Sequence, residues 1–164
     1  MCFVIVNHNT KRTYLHPAPS KEEKDTIKAV LAYIGAYGLV DKILSDEGGE
    51  FSGSFTKELM TKLGIRWDLT ITKRPQAHGT ERTVGRVLDA VRLFLYSEEA
   101  GLSWSDPAVL ATTAYLLNSE RNEETGYSAF DLTFGKDEMS ELPDISGIQG
   151  KPVLLYIPVT PAYL

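Results

Sequence analysis

The run MCFVIV at the head of the chain constrains the fold more than any other feature. It is β-branched and aromatic and carries no charge, the pattern of a buried strand. NHNTK then reads as a turn, and RTYLH as the returning strand of a hairpin. PAPS breaks the chain. Beyond it helical and strand periods alternate, so the hairpin leads into βαβ-type crossovers. That order gives a mixed sheet with helices on its faces, an α/β fold.

The helical stretches announce themselves by start and stop signals. Ser20 with Glu23 three residues on forms a capping-box pattern, which predicts a helix from about Lys21, with Ile27, Val30, Leu31 and Ile34 on one face and Gly38 as its stop. Val40 to Ser45 is a short strand ending at Asp46, and EGGEF is a turn. GSFTKELMTKLG reads as a short helix stopped by Gly64, and IRWDLT as a further strand. From about Glu81 to Glu99, Val84, Val87, Leu88, Val91, Phe94 and Leu95 keep a helical stripe. Pro107 sits in the first turn of a helix running to about Asn118, and Ser128 opens a shorter one.

Composition narrows the class. The chain has 164 residues, is 43% hydrophobic and 24% charged, and carries a net charge of −5. That is one domain's worth of core. The acidic balance argues against a dedicated nucleic-acid binder, which clusters Lys and Arg. One cysteine, Cys2, cannot staple a fold and fits a reducing compartment, cytosolic or nuclear. No apolar window approaches the length of a membrane span.

Four stretches, in order, resemble the catalytic core of retroviral and gypsy-class retrotransposon integrases: YGLVDKILSDEGGEF, LGIRWDLT, RPQAHG and LNSERNEETGYSAFDLTFGKD. The resemblance covers residues 1–143, with 144–164 as a C-terminal tail. It implies an RNase H-like mixed sheet flanked by helices. It also implies three carboxylates that bind two divalent metals, Mg²⁺ or Mn²⁺, for phosphoryl transfer.

The family's carboxylates do not carry over cleanly. Asp46 matches the second. Thirty-six residues beyond it, where the family has its glutamate, stands Arg82, with Glu81 adjacent. One residue is about 100° of helix rotation, so Glu81 should face elsewhere. A one-residue gap would align Glu81 with the family's glutamate, but it requires a compensating insertion before Arg86. The first carboxylate belongs to a strand upstream of the hairpin, which this chain is expected to lack. Expectation therefore runs to no metal, no cofactor and no active catalytic residue. Asp46 is read as stabilising its turn.

Lys73, Arg74, Arg82 and Arg86 are the candidates for nucleic-acid contact. Together with Arg92 they equally describe a solvated helix face, opposed by Glu81 and Asp89. His8, His16 and His78 are too scattered for a metal site, and Trp67 and Trp104 read as packing residues.

The leading expectation is a domesticated integrase-like domain without catalysis: a homodimerisation or protein-interaction module in a larger host protein, with DNA contact weak at most. A non-cleaving DNA-binding domain is the alternative. A residual metal-dependent nuclease using Asp46 and Glu81 is the second.

The tail raises a separate expectation. An empty central slot would orphan two rows of backbone groups at about 1–3 kcal/mol each, against a total stability of roughly 5–15 kcal/mol. The one unassigned apolar run is PVLLYIPV. Val153 to Ile157 is therefore expected to pair with the sheet, in its own chain or exchanged with a dimer partner, bracketed by Pro152 and Pro158.

Overall fold

The structure is a computed structural model and describes residues 1–45, 53–69, 76–95, 103–123, 125–135 and 153–159. Its elements in chain order are β1 (Cys2–Asn7), β2 (Thr13–Pro17), α1 (Glu23–Tyr37), β3 (Lys42–Ser45), α2 (Ser54–Lys62), β4 (Arg66–Leu69), α3 (Gln76–Leu95), α4 (Pro107–Ser119), α5 (Ala129–Phe134) and β5 (Val153–Val159).

The sheet has the order β2-β1-β5-β3-β4. Strand β5 runs antiparallel to β1, with Val4 opposite Ile157 and Ile5 opposite Tyr156. It runs parallel to β3, with Leu44 opposite Leu155 and Ser45 opposite Tyr156. The C-terminal run thus fills the centre of the sheet and joins the β1–β2 hairpin to the β3–β4 pair. It is longer than expected, since Pro158 lies inside it opposite Phe3. Among the described residues, the strand neighbour of Pro158 is Phe3 on the β1 side.

All six residues of β1 are buried, because the sheet is covered on both faces. Successive side chains alternate faces. Phe3 and Ile5 pack with Ala29, Val30 and Tyr33 of α1, Met60 of α2, and Ile43. Cys2, Val4 and Val6 pack on the other face with Leu15, Val87 and Val91 of α3, and Leu110 and Leu117 of α4. Each such side chain, fully buried, contributes about 1.5–3 kcal/mol.

Three long-range polar contacts fasten the layers. Asn118 of α4 accepts from the Thr13 N–H at 2.7 Å and donates to the Thr13 carbonyl at 2.8 Å, so its amide serves as a strand partner for the outer edge of β2. Arg12 is buried, donates to the Tyr33 hydroxyl at 2.8 Å and lies 3.5 Å from the centre of the Tyr37 ring, which holds the hairpin against α1. Glu23 accepts from both the N–H and the hydroxyl of Thr56, each at 2.8 Å, at the start of α2. A carboxylate there meets the positive end of the helix. These bonds, the backbone one first, hold the Glu23 carboxyl below the usual range. A Cβ at Gly53 would lie 1.8 Å from the Glu23 carboxylate, so a side chain there would push the end of Glu23 away from Thr56.

Several boundaries move. The Ser20–Glu23 capping box does not form: α1 starts at Glu23 and its N-cap, Glu22, makes no side-chain cap bond. Ser20 instead donates to Asp25 at 2.7 Å, while Glu23 is taken by Thr56. The longest helix begins at Gln76, five residues before Glu81, and is described to Leu95. Pro75 immediately before it suits a helix start, and the buried stripe carrying Val87 and Val91 offsets the cost of Gly79, about 1 kcal/mol. Val40 is buried but lies outside β3, which starts at Lys42. Helices α4 and α5 follow expectation. Asp106 caps α4 by accepting from Ala108 N at 2.8 Å, and Ser128 with Asp131 forms a capping box on α5.

Replacing Asn118 by Ala should cost about 2–4 kcal/mol, because it strands two buried backbone groups of Thr13. Chemical denaturation followed by circular dichroism measures it. Cys2 reports on the central strand. It lies opposite Val159, is 2% exposed, and burial pushes its thiol up to about 12. Only the thiolate reacts, so Cys2 should resist a thiol reagent at neutral pH in the intact chain. Deletion of residues 151–164 should make it reactive and the protein aggregation-prone.

Candidate functional site

The candidate site lies where the C-terminal end of β3 meets the sheet centre. Ser45 ends β3 and is fully buried. Its hydroxyl accepts from the Trp67 indole N–H at 2.9 Å, which ties β3 to β4 and makes Trp67 a positioning residue of the sheet. Asp46 comes directly after it and lies outside the described residues. The strand neighbour of Ser45 toward the sheet centre is Tyr156. Across β5, Tyr156 faces Ile5.

A divalent-metal pair needs hard, anionic oxygen ligands. The central strand here reads VLLYIPV. Its one side-chain oxygen is that of Tyr156, and it carries no carboxylate. Arg82, which the resemblance puts at the third ligand position, is exposed on α3. Glu81 belongs to the same helix, but its side chain lies outside the described residues. One residue of helix separates it from Arg82 by about 100°. Among the described residues no group of three or more His, Cys, Asp or Glu is arranged to hold a metal ion. The one carboxylate on β4, Asp68, is engaged 2.5 Å from Lys42.

The basic set is partly neutralised. Arg86 is ion-paired with Glu120 of the segment after α4, and Arg92 with Asp89 at 3.3 Å on its own helix. Lys73 and Arg74 lie outside the described residues. Arg82 and Arg86 both reach the surface of α3 four residues apart, on one side of the helix.

The histidines do not converge. His8 is exposed. His16 is half-buried and stacks on Tyr14 at 6.2 Å. Burial first, then Lys11, lowers the pKa of His8. Burial likewise lowers that of His16, against the pull of Asp25. The His78 side chain lies outside the described residues. Trp104 is partly buried against the α3–α4 core. Sequence reasoning missed Asn118, Arg12 and the Glu23–Thr56 link. Each joins residues far apart in the chain, and no local pattern marks such a partner.

The architecture is the RNase H-like fold of retroviral integrase catalytic cores. It superposes on the HTLV-2 integrase catalytic core domain in complex with magnesium with a TM-score of 0.70, at 18% identity over 80% of this chain and 83% of that one. The BIV integrase catalytic core gives 0.67 at 21% identity, over 79% and 82%. The integrase of the simian T-cell lymphotropic virus intasome, solved in complex with the PP2A regulatory subunit B56 gamma, gives 0.72 at 18% identity, over 86% and 50%. In sequence, 136 residues are 24% identical to the Gag-Pol polyprotein of gibbon ape leukemia virus. The match takes in 81% of this chain and only 8% of that polyprotein. No family model matches the chain.

With Arg86 and Arg92 paired to acids and the chain net acidic, duplex DNA should bind no tighter than the non-specific range, roughly 10⁻⁴–10⁻⁶ M at physiological salt. Arg82→Gln with Arg86→Gln should change that little. Fluorescence anisotropy across a salt series tests it. Submicromolar, steeply salt-dependent binding lost in the double variant would establish a DNA interface instead.

Proposed function

We propose that this chain is an integrase-fold module that assembles rather than cuts: a homodimerisation or protein-interaction domain in a larger, retroelement-derived protein acting in the nucleus or cytoplasm. The observation that carries this reading is the identity of the central strand. The position that holds the sheet together is filled by Val, Leu, Tyr, Ile and Pro, and Arg82 stands where the family has a glutamate. A cation beside a would-be metal pocket opposes metal binding at close range.

Support for assembly comes from relatives of the same fold. The HTLV-2 core was solved in both dimeric and trimeric forms, and the simian virus protein in an intasome with a PP2A regulatory subunit. Extending self-association and a protein partner to this chain rests on that likeness. Symmetric dimers are the commonest closed assembly.

Two measurements test the reading. Calorimetric titration with Mg²⁺ or Mn²⁺ should show no micromolar site, and the chain should not cleave DNA with either metal. Micromolar binding abolished by Asp46→Asn would overturn the non-catalytic part. Sedimentation at tens of micromolar should give a dimer, and a clean monomer would overturn the self-association part.

A further inference from the structure

Arg12 is 4% exposed, and among the described residues no carboxylate meets it. Its backbone is satisfied: the N–H donates to the Thr10 hydroxyl at 3.3 Å, and the carbonyl accepts from the Asn7 N–H at 2.8 Å. The guanidinium makes one hydrogen bond among the described residues, from Nη2 to the Tyr33 hydroxyl at 2.8 Å. Its Nε–H is buried and has no partner there. Tyr33 is 1% exposed, and its hydroxyl oxygen accepts the Arg12 bond while no described acceptor takes its own proton. The other buried charge, Asp25, differs: it accepts from Ser20 at 2.7 Å and from Lys28 at 3.0 Å.

The aromatic rings do not replace the missing bonds. Arg12 lies 3.5 Å from the centre of the Tyr37 ring and 5.5 Å from that of Tyr33. Tyr14 packs edge to face against Tyr33 and Tyr37, at 5.7 and 5.8 Å. A ring attracts the cation through the face of the guanidinium, whereas the N–H donors point outward in its plane. The C-terminal end of α1 offsets about half a charge. That helix has no basic residue in its last turn, and Arg12 stands there beside Tyr37. About half a charge and two buried donors are left over. The acids at the start of α1 do not supply the rest. Asp25 lies eight residues before Tyr33, about 12 Å along the helix, and Glu23 is taken by Thr56.

We propose that Arg12 and Tyr33 bind a monovalent anion of halide size, chloride, in the plane of the guanidinium on its Nε–Nη2 edge. The anion accepts from the Nε–H and from the Tyr33 hydroxyl, and it neutralises Arg12. A buried charge is stable only when it is paired and hydrogen-bonded. A water suits this spot less well. It is neutral, and its two protons would join a place that already holds more donors than acceptors. Phosphate or sulfate carries more charge than one guanidinium balances and more oxygens than these two donors serve. Tyr14 and Tyr37 are half-buried, so the cluster reaches the surface on that side. Because Arg12 opens β2 and Tyr33 belongs to α1, the bound anion fastens the hairpin to the helix, and the stability of the domain follows the halide concentration.

Urea unfolding at constant ionic strength, with sodium chloride exchanged for sodium gluconate, tests the site. At roughly ten times its Kd, chloride should raise the folded-to-unfolded ratio about tenfold over gluconate, and bromide should act alike. Tyr33→Phe keeps the ring and removes one donor, so it should weaken the chloride response. Arg12→Met should abolish it. If Arg12→Met does not fold, chloride NMR of the parent chain and of Tyr33→Phe decides: the parent should broaden the chloride line, and the variant should broaden it less. Identical unfolding curves in chloride and gluconate, with no line broadening, would leave an ordered water only beside Arg12 and overturn the site. A chloride response of full size in Arg12→Met would put the anion elsewhere and overturn it as well.

Discussion

The sheet depends on one strand. The β1–β2 hairpin and the β3–β4 pair meet only through β5, which pairs with both β1 and β3. Inside a sheet covered by helices, backbone N–H and C=O groups have no water to turn to, so the slot has to be filled. A seven-residue run from the end of the chain fills it. That brings the most C-terminal described segment into the most central place.

The same strand fixes the chemistry open to the site. The strand beside β3 in the register is β5, whose sequence, VLLYIPV, carries no carboxylate. The fold tolerates this because the sheet's stability comes from backbone pairing and from apolar packing on both faces, and neither requires a carboxylate. The integrase-like architecture is kept with this strand at its centre. Polar groups elsewhere hold the layers together: Glu23 at the start of α2, Asn118 on the edge of β2, and Arg12 among the tyrosines.

Charge is distributed to match. On α3 two arginines are paired to carboxylates, while α4 exposes no charge at all.

The sequence by itself determined the elements whose signals are local. The MCFVIV run, Pro107 in the first turn of α4, the Ser128 cap and the stripe through Val87 and Val91 each work within a few residues, so each could be read off directly. The displaced carboxylate at Arg82 was also visible, because position along the chain shows it. The tertiary structure alone decided the rest. Glu23 has a local partner pattern with Ser20, yet it bonds Thr56, because packing of α1 on α2 brings a helix start within reach. Helix α3 extends back to Gln76 over a glycine that a local reading takes as loop. Pro158 enters the strand opposite Phe3 of β1, a pairing that only the assembled sheet shows. An apolar run such as VLLYIPV states that it must be buried, but where it is buried depends on which backbone groups the other strands leave unpaired. That is settled only when all five strands are in place.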